Sequence, residues 1–365
     1  MFPKTVSKGQ RVALWLDDHY FITDPISLDN RIKISKSERP LLSSLLELPF
    51  GSFVLVVKDK FERVPPPTLP EWPLSVEFDS DKTNVNINDD QTAQALNETD
   101  IAKLKDSDTP SDRIIQSLVE NSKTFTNKTV FAQQKYIARK KRKHCRIYRI
   151  DHVTYDVLCL SFLKKSPDRI CFLTPDAISY ILSLSNSGHS TSPALVFDST
   201  DGLLYGSIVS RSSDRSVYFA HSSFACRHHL SSLLGNPSPS LAFTVATLAS
   251  MDPINATSFT AVVSPTEMVL VLALWKHLVI GSPFVFWSIS IDGLTKLRLL
   301  FKKYNLALSL SIKELNVTPM VFLPGISRPD MNFKPGNGGG DGFFLCGYKS
   351  REVPNELIPN PNPNP

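Results

Sequence analysis

The sequence has few cysteines, no leader-like opening and no uninterrupted apolar stretch of membrane length. Its five cysteines, Cys145, Cys159, Cys171, Cys226 and Cys346, are odd in number and show no paired spacing, which argues against a disulfide framework. The amino terminus has no apolar stretch of signal-peptide type, so the chain is expected in a reducing, intracellular compartment. The most hydrophobic window, Met268 to Ile291, is interrupted by Lys276 and His277 and then by Gly281, Ser282 and Pro283. That falls short of the roughly 20 continuous apolar residues a membrane helix needs, and it reads as a buried helix followed by a buried strand. No G-x-S-x-G elbow is present for serine hydrolysis. Arg227-His228-His229 beside Cys226 lack a second ligand pair at tetrahedral-site spacing, so no metal site is expected.

What is present is a chain of 365 residues, 42% hydrophobic, long enough for two domains with a core each. Its charge is unevenly placed. Between Asn121 and Ile150 there is no acid, and Lys123, Lys128, Lys135, Arg139, Lys140, Lys141, Arg142, Lys143, Arg146 and Arg149 give +10, leaving −5 for the rest of a chain whose formal charge is +5. Positive charge confined to one stretch is a local footprint for a polyanion. A basic run of this length also serves as a solvated helix face or a nuclear-import signal, and the residues alone leave both open.

Short apolar runs separated by turns from Gln10 to about Val64 predict a small antiparallel, barrel-like β domain over residues 1–75, ended by Pro65, Pro66 and Pro67. Residues 76–98 are polar and acidic and are expected to form a mobile linker. Residues 99–145 form a helical, basic connector. Thr109-Pro110 starts a helix over Ser111 to Asn121, and Thr129 caps another from Val130 to about Lys143 that places Lys128, Lys135, Arg139 and Arg142 on one face. Residues 146–352 alternate strands with helices and predict a doubly wound, Rossmann-like α/β domain. The expected strands are Ile170 to Leu173, Ala194 to Asp198, Ser216 to His221, Ser258 to Val263, Pro283 to Ser290 and Ala307 to Ile312. The expected helices include one from Thr174-Pro175, Glu267 to Val279, and Gly293 to Tyr304. Val317 to Leu323 and Gly342 to Tyr348 flank a glycine-rich turn and suggest an edge hairpin, and residues 353–365 a disordered tail.

The segment Ser117 to Lys143, SLVENSKTFTNKTVFAQQKYIARKKRK, resembles the signature of the non-catalytic, tRNA-binding subunit of eukaryotic tRNA (adenine-58-N1) methyltransferase. The match runs through Glu120, Asn121, Ser122, Phe125, Lys128, Thr129, Phe131, Gln133, Lys135, Tyr136 and the basic cluster. Phe322-Leu323-Pro324-Gly325, followed by Pro329, Met331 and Gly338-Gly339-Gly340, resembles that family's closing strand pair. Ile326 stands where the family carries arginine, with Arg328 nearby as a substitute, and Asp341 interrupts the glycine run. The resemblance implies a methyltransferase-type Rossmann fold, a nuclear protein, tRNA as ligand, and a catalytic methyltransferase subunit as partner in a heterotetramer of two copies each. The RNA-binding residues it implies are Lys128, Lys135, Tyr136, Arg139, Lys140, Lys141, Arg142, Lys143, Arg146 and Arg328.

A doubly wound methyltransferase holds S-adenosylmethionine with a glycine-rich turn after its first strand and an acid after its second. Here the first strand, Ala194 to Asp198, is followed by Ser199-Thr200-Asp201-Gly202, with one glycine, and the second ends at His221 with no acid. The sequence therefore predicts a degenerate cofactor site at Ser199, Thr200, Asp201, Gly202 and His221. No catalytic residue is assigned, no cofactor is expected on this chain, and S-adenosylmethionine is expected in the catalytic partner. Two other readings stay open: an active S-adenosylmethionine-dependent RNA methyltransferase and a stand-alone RNA-binding module.

Overall fold

Alternating apolar residues in Val12–Leu16 (β1) and Ile147–His152 (β5) put Val12, Leu14, Tyr148 and Ile150 on one buried face, which is what a half-buried strand requires. With His19–Ile22 (β2), Phe53–Val57 (β3) and Lys60–Val64 (β4) they form a five-stranded antiparallel sheet in the order β2-β1-β5-β3-β4. The computed structural model describes residues 3–16, 19–34, 39–57, 59–66, 95–97, 99–100, 111–126, 132–133, 136–137, 139–140, 147–186, 191–211, 215–222, 228–235, 240–315, 320–323, 326–329 and 342–358. Among these, β2 and β4 are the edges of the first sheet and do not pair with each other. The chain divides into two units, Met1–His152 and Val153–Pro365.

This division corrects the expected domain start at residue 146. β5 pairs with both β1 and β3 and is the central strand of the first sheet, so its hydrogen bonds tie it to the amino-terminal unit. Its core takes Leu42, Leu45, Val54 and Phe61 as well. In the same unit the helix Ser111–Glu120 (α1) buries Ile114, Ile115 and Leu118, and residues 132–133, 136–137 and 139–140 are helical, in keeping with the predicted connector. Most of the predicted linker lies outside the described residues.

The second unit is built on a seven-stranded mixed sheet of Ala194–Asp198 (β6), Val217–His221 (β7), Ala242–Thr244 (β8), Phe259–Val262 (β9), Pro283–Ser288 (β10), Ala307–Leu315 (β11) and Gly342–Lys349 (β14), in the order β11-β14-β10-β9-β6-β7-β8. Its parallel part runs from β6 to β10. β6 is buried at every position, as expected for a parallel strand covered on both faces. Helices Tyr155–Lys165 (α2), Pro175–Leu184 (α3), Leu203–Arg211 (α4), His229–Leu233 (α5), Val245–Ser250 (α6) and Ile291–Lys303 (α7) connect the strands. The Oγ1 of Thr174 accepts from the Ala177 amide at 3.2 Å, the predicted cap, with a typical contribution of about 1 kcal/mol.

Four expectations fail here for identifiable reasons. Ile170 to Leu173 is not a strand: Pro167–Ile170 is a 3-10 turn ended by Cys171 and Phe172 at φ 49° and 55°, and the run's hydrophobicity reflects the burial of Ile170 and Leu173. Glu267 to Val279 is not one helix but two 3-10 turns, Met268–Leu272 and Trp275–His277. The His277 carbonyl accepts from the Ala256 amide at 2.7 Å, and the Val279 amide donates to Ala256 at 2.9 Å, which a continuing helix would forbid. The edge hairpin dissolves too. Gly342–Lys349 (β14) lies antiparallel between β10 and Ala307–Leu315 (β11), while Met320–Leu323 (β12) pairs with Ile326–Pro329 (β13). A Cβ on Gly342 would stand 1.9 Å from the Trp287 ring, so glycine is what lets β14 enter beside β10. Finally, part of the predicted tail has regular structure: Val353 is buried, and Asn355–Leu357 forms a 3-10 turn.

Candidate functional site

The strand order reverses direction between β6 and β9, so the crevice beyond their carboxyl ends is where an open α/β sheet takes its ligand. Asp198 closes β6 and is buried. Its carboxylate accepts from the Thr200 amide at 2.6 Å, the Thr200 hydroxyl at 2.5 Å and the Tyr205 amide at 2.9 Å. Burial pushes this carboxyl above the usual range, against the opposing pull of those hydrogen bonds. The turn Ser199 to Gly202 is thereby folded back on its own strand, and Asp201 and Gly202 take φ values of 57° and 84°.

Gly202 does not present open backbone. A Cβ there would lie 2.7 Å from His228 Cα, and the Leu230 amide donates to the Asp201 carbonyl at 3.0 Å, so the start of α5 sits against the turn. The Asp201 side chain, 5% exposed, forms an ion pair with Arg169, whose Nε is 2.6 Å from Oδ2 and whose guanidinium lies 5.2 Å from the Phe162 ring centre. On the other flank Glu267 Oε2 accepts from Ser199 Oγ at 3.0 Å and from Ser264 Oγ at 2.9 Å, bridging the ends of β6 and β9. The Cys171 thiol donates to the Ser199 carbonyl at 3.7 Å. Burial, with Asp198, Glu267 and Asp168 nearby, pushes that thiol up to about 12, which keeps it protonated and unreactive.

The predicted residues Ser199, Thr200, Asp201 and Gly202 thus form one turn, and His221, buried at the end of β7, closes the adjacent strand. Arg169, Asp198 and Glu267 were not among them. Arg169 meets Asp201 from 32 residues away and Glu267 meets Ser199 from 68, separations that only the folded sheet closes.

Of the predicted RNA-binding residues, Tyr136, Arg139 and Lys140 are described. Arg139 is exposed, and Lys140 Nζ lies 5.3 Å from the Tyr136 ring centre. Tyr136 packs edge-on to Phe125 at 5.5 Å and donates to the Leu118 carbonyl at 3.4 Å, which anchors this helical segment to α1. Lys128, Lys135, Lys141, Arg142, Lys143 and Arg146 lie outside the described residues, as does the Arg328 side chain, although its backbone is in β13. Among the described residues there is no cluster of three or more His, Cys, Asp or Glu suited to a metal ion, and no helix long and apolar enough to cross a membrane.

Two solved structures share the fold. A SAM-dependent O-methyltransferase from Thermotoga maritima matches with a TM-score of 0.54 at 11% identity, over 96% of this chain and 97% of that one. The tRNA (m1A58) methyltransferase TrmI from Aquifex aeolicus matches with a TM-score of 0.51 at 11% identity, over 95% and 99%. The second unit accordingly has a Rossmann-like methyltransferase fold with a mixed sheet.

In sequence, the tRNA (adenine(58)-N(1))-methyltransferase non-catalytic subunit trm6 of Dictyostelium discoideum is 32% identical over 210 residues, 56% of this chain and 40% of that protein. The subunit so named in Mus musculus is 34% identical over 141 residues, 39% of this chain and 28% of its own length. That of Schizosaccharomyces pombe is 30% identical over 216 residues, 57% and 45% respectively. The matched stretches span less than half the length of these relatives. The Gcd10p family pattern matches residues 5–268, through the whole first sheet, the basic segment and the switch-point crevice, and the chain belongs to the Gcd10p family.

Proposed function

We propose that this chain is the non-catalytic subunit of a tRNA (adenine-58-N1) methyltransferase, and that it holds tRNA in register for a catalytic paralogue without binding S-adenosylmethionine itself. The observation that carries the reading is the state of the switch-point crevice. A cofactor there needs a backbone approach and a carboxylate for the ribose hydroxyls. Instead the only glycine of the turn lies against His228, and the buried carboxylate of Asp198 is taken up by Thr200 and Tyr205. Asp201 is paired with Arg169, Glu267 ties Ser199 to Ser264, and His221 occupies the place of the ribose acid. The residues present do not fit the cofactor.

The tRNA contacts in this reading come from the basic segment. Lys128, Lys135, Arg139, Lys140, Lys141, Arg142, Lys143 and Arg146, with Tyr136 and Arg328, would meet phosphates, which position a ligand without reading its sequence. The family membership and the names of the relatives support tRNA as the ligand and a catalytic methyltransferase subunit as the partner. An assembly of two copies of each and a nuclear location complete the proposal. Affinity purification of the tagged chain tests it. A methyltransferase with an intact cofactor site and tRNA should be recovered together; recovery of neither would contradict it.

A further inference from the structure

An antiparallel sheet usually buries one face and leaves the other polar. The first sheet departs from this rule. One face holds the core, with Leu14, Val54, Phe61, Tyr148 and Ile150 buried. The register puts Trp15 opposite Tyr20 on one side and Arg149 on the other, and Arg149 opposite Phe53, so the second face carries Trp15, Tyr20, Phe53 and Arg149 in one row across four strands. Leu55 and Ile147 lie in the next row of that face. All six are half-buried, and the Arg149 side chain keeps 37% of its surface exposed. Large apolar side chains that reach solvent together mark an interaction surface.

The chemistry of the row favours a nucleobase over a protein side chain. The Arg149 guanidinium lies 4.8 Å from the Trp15 ring centre. Asp151 holds it there by a fork, Nε to both carboxylate oxygens at 2.9 and 3.0 Å and Nη2 to Oδ2 at 2.8 Å, and this pairing raises the arginine pKa further. A fixed indole and guanidinium plane is the type of surface on which unstacked RNA bases lie. Arg149 is also the last of the ten basic residues between Asn121 and Ile150, so the acid-free segment ends on the central strand of this face.

We infer that the outer face of the first sheet, centred on Trp15 and Arg149, takes an unstacked base from a single-stranded loop of RNA. The inference rests on the tRNA-binding reading given above. Its test compares Trp15→Leu, which keeps apolar bulk but removes the aromatic plane, and Trp15→Phe, which keeps a plane, with a triple variant Lys135→Ala, Arg139→Ala, Arg142→Ala. All are made in the full chain copurified with its catalytic partner and titrated with unmodified tRNA at two salt concentrations.

Trp15→Leu should weaken binding by roughly 5- to 100-fold, the effect of losing one stacked base, with an unchanged salt dependence. Trp15→Phe should stay near wild type. Full affinity in Trp15→Leu beside weakened binding in the triple variant overturns the base site and leaves the proposed function standing. Full affinity in both removes the tRNA-binding reading and the base site with it. Loss of the partner protein from Trp15→Leu makes this face a protein interface and also overturns the inference. Should Trp15→Leu fail to fold, fluorescence decides: tRNA should quench tryptophan emission in wild type more than in Trp15→Phe, and equal quenching overturns the base site.

Discussion

Ser199 donates its hydroxyl to the carboxylate of Glu267 at 3.0 Å, and Ser264 donates to the same oxygen at 2.9 Å. One side chain therefore holds together the two loops that part to admit a ligand in a doubly wound sheet. Glu267→Ala leaves both hydroxyls without this acceptor. Hydrogen bonds to a charged group contribute about 1.5–3 kcal/mol, so the variant should unfold at a lower temperature by several degrees, with faster amide exchange in the loops after β6 and β9. An unchanged melting temperature and unchanged exchange would mean that the bridge holds nothing.

Gly342 and Gly202 test packing at the two ends of this region. A Cβ on Gly342 would lie 1.9 Å from Trp287, and one on Gly202 would lie 2.7 Å from His228 backbone at a φ of 84°. Alanine at either position should cost about 1–3 kcal/mol or more, since overpacking forces backbone shifts and the positive φ adds strain. Urea unfolding of each variant measures it; alanine tolerated without loss at both would contradict the described packing.

His277 predicts a pH dependence. Its ring is buried, with Nε2 2.8 Å from the Leu248 carbonyl and no partner for Nδ1, and burial holds its pKa below the ordinary value of 6.5. The unfolded chain then takes up a proton that the folded chain refuses, so stability is complete above about pH 6.5 and falls as pH drops towards the folded value. His277→Gln should flatten the melting-temperature profile between about pH 7 and 5 relative to wild type. Parallel profiles would show that His277 is not the group responsible.

The basic segment gives a salt-dependent prediction. Each neutralised phosphate contributes about 0.7 to 0.9 to the slope of log K against log salt. If the segment holds tRNA as proposed, replacing Lys135, Arg139 and Arg142 together by alanine should weaken tRNA binding by the complex and flatten that slope by roughly two to three units, equally for different tRNAs. Cofactor binding by the partner should not change. Wild-type affinity at low and moderate salt would make the segment a solvated face or an import signal.

Much of the second unit was legible because its elements announce themselves locally. β6 matches its predicted bounds, Ala194 to Asp198, since a buried strand between turns reads as a short apolar run. α3 follows from Thr174-Pro175. The same rule misled at Ile170 to Leu173 and at Glu267 to Val279, where apolar residues fill a core in irregular backbone and periodicity carries no information. β5 was missed as a member of the first sheet because its partners, β1 and β3, lie more than a hundred and about ninety residues earlier, and no local pattern encodes that pairing. The turn after β6 was readable as poor in glycine, but Arg169 and Glu267, which fill its surroundings, became visible only when the sheet closed the distance.

Calorimetric titration of S-adenosylmethionine into the purified chain, and in parallel into its complex with the proposed catalytic partner, decides whether the crevice of this chain takes the cofactor. With Glu267, Arg169 and the His228 backbone around the turn Ser199 to Gly202, the chain alone should give no saturable heat at micromolar cofactor, and the complex should bind one cofactor per catalytic subunit. Saturable micromolar binding by the chain alone, lost when the turn is altered, would mean that the crevice holds the cofactor and would overturn the non-catalytic reading.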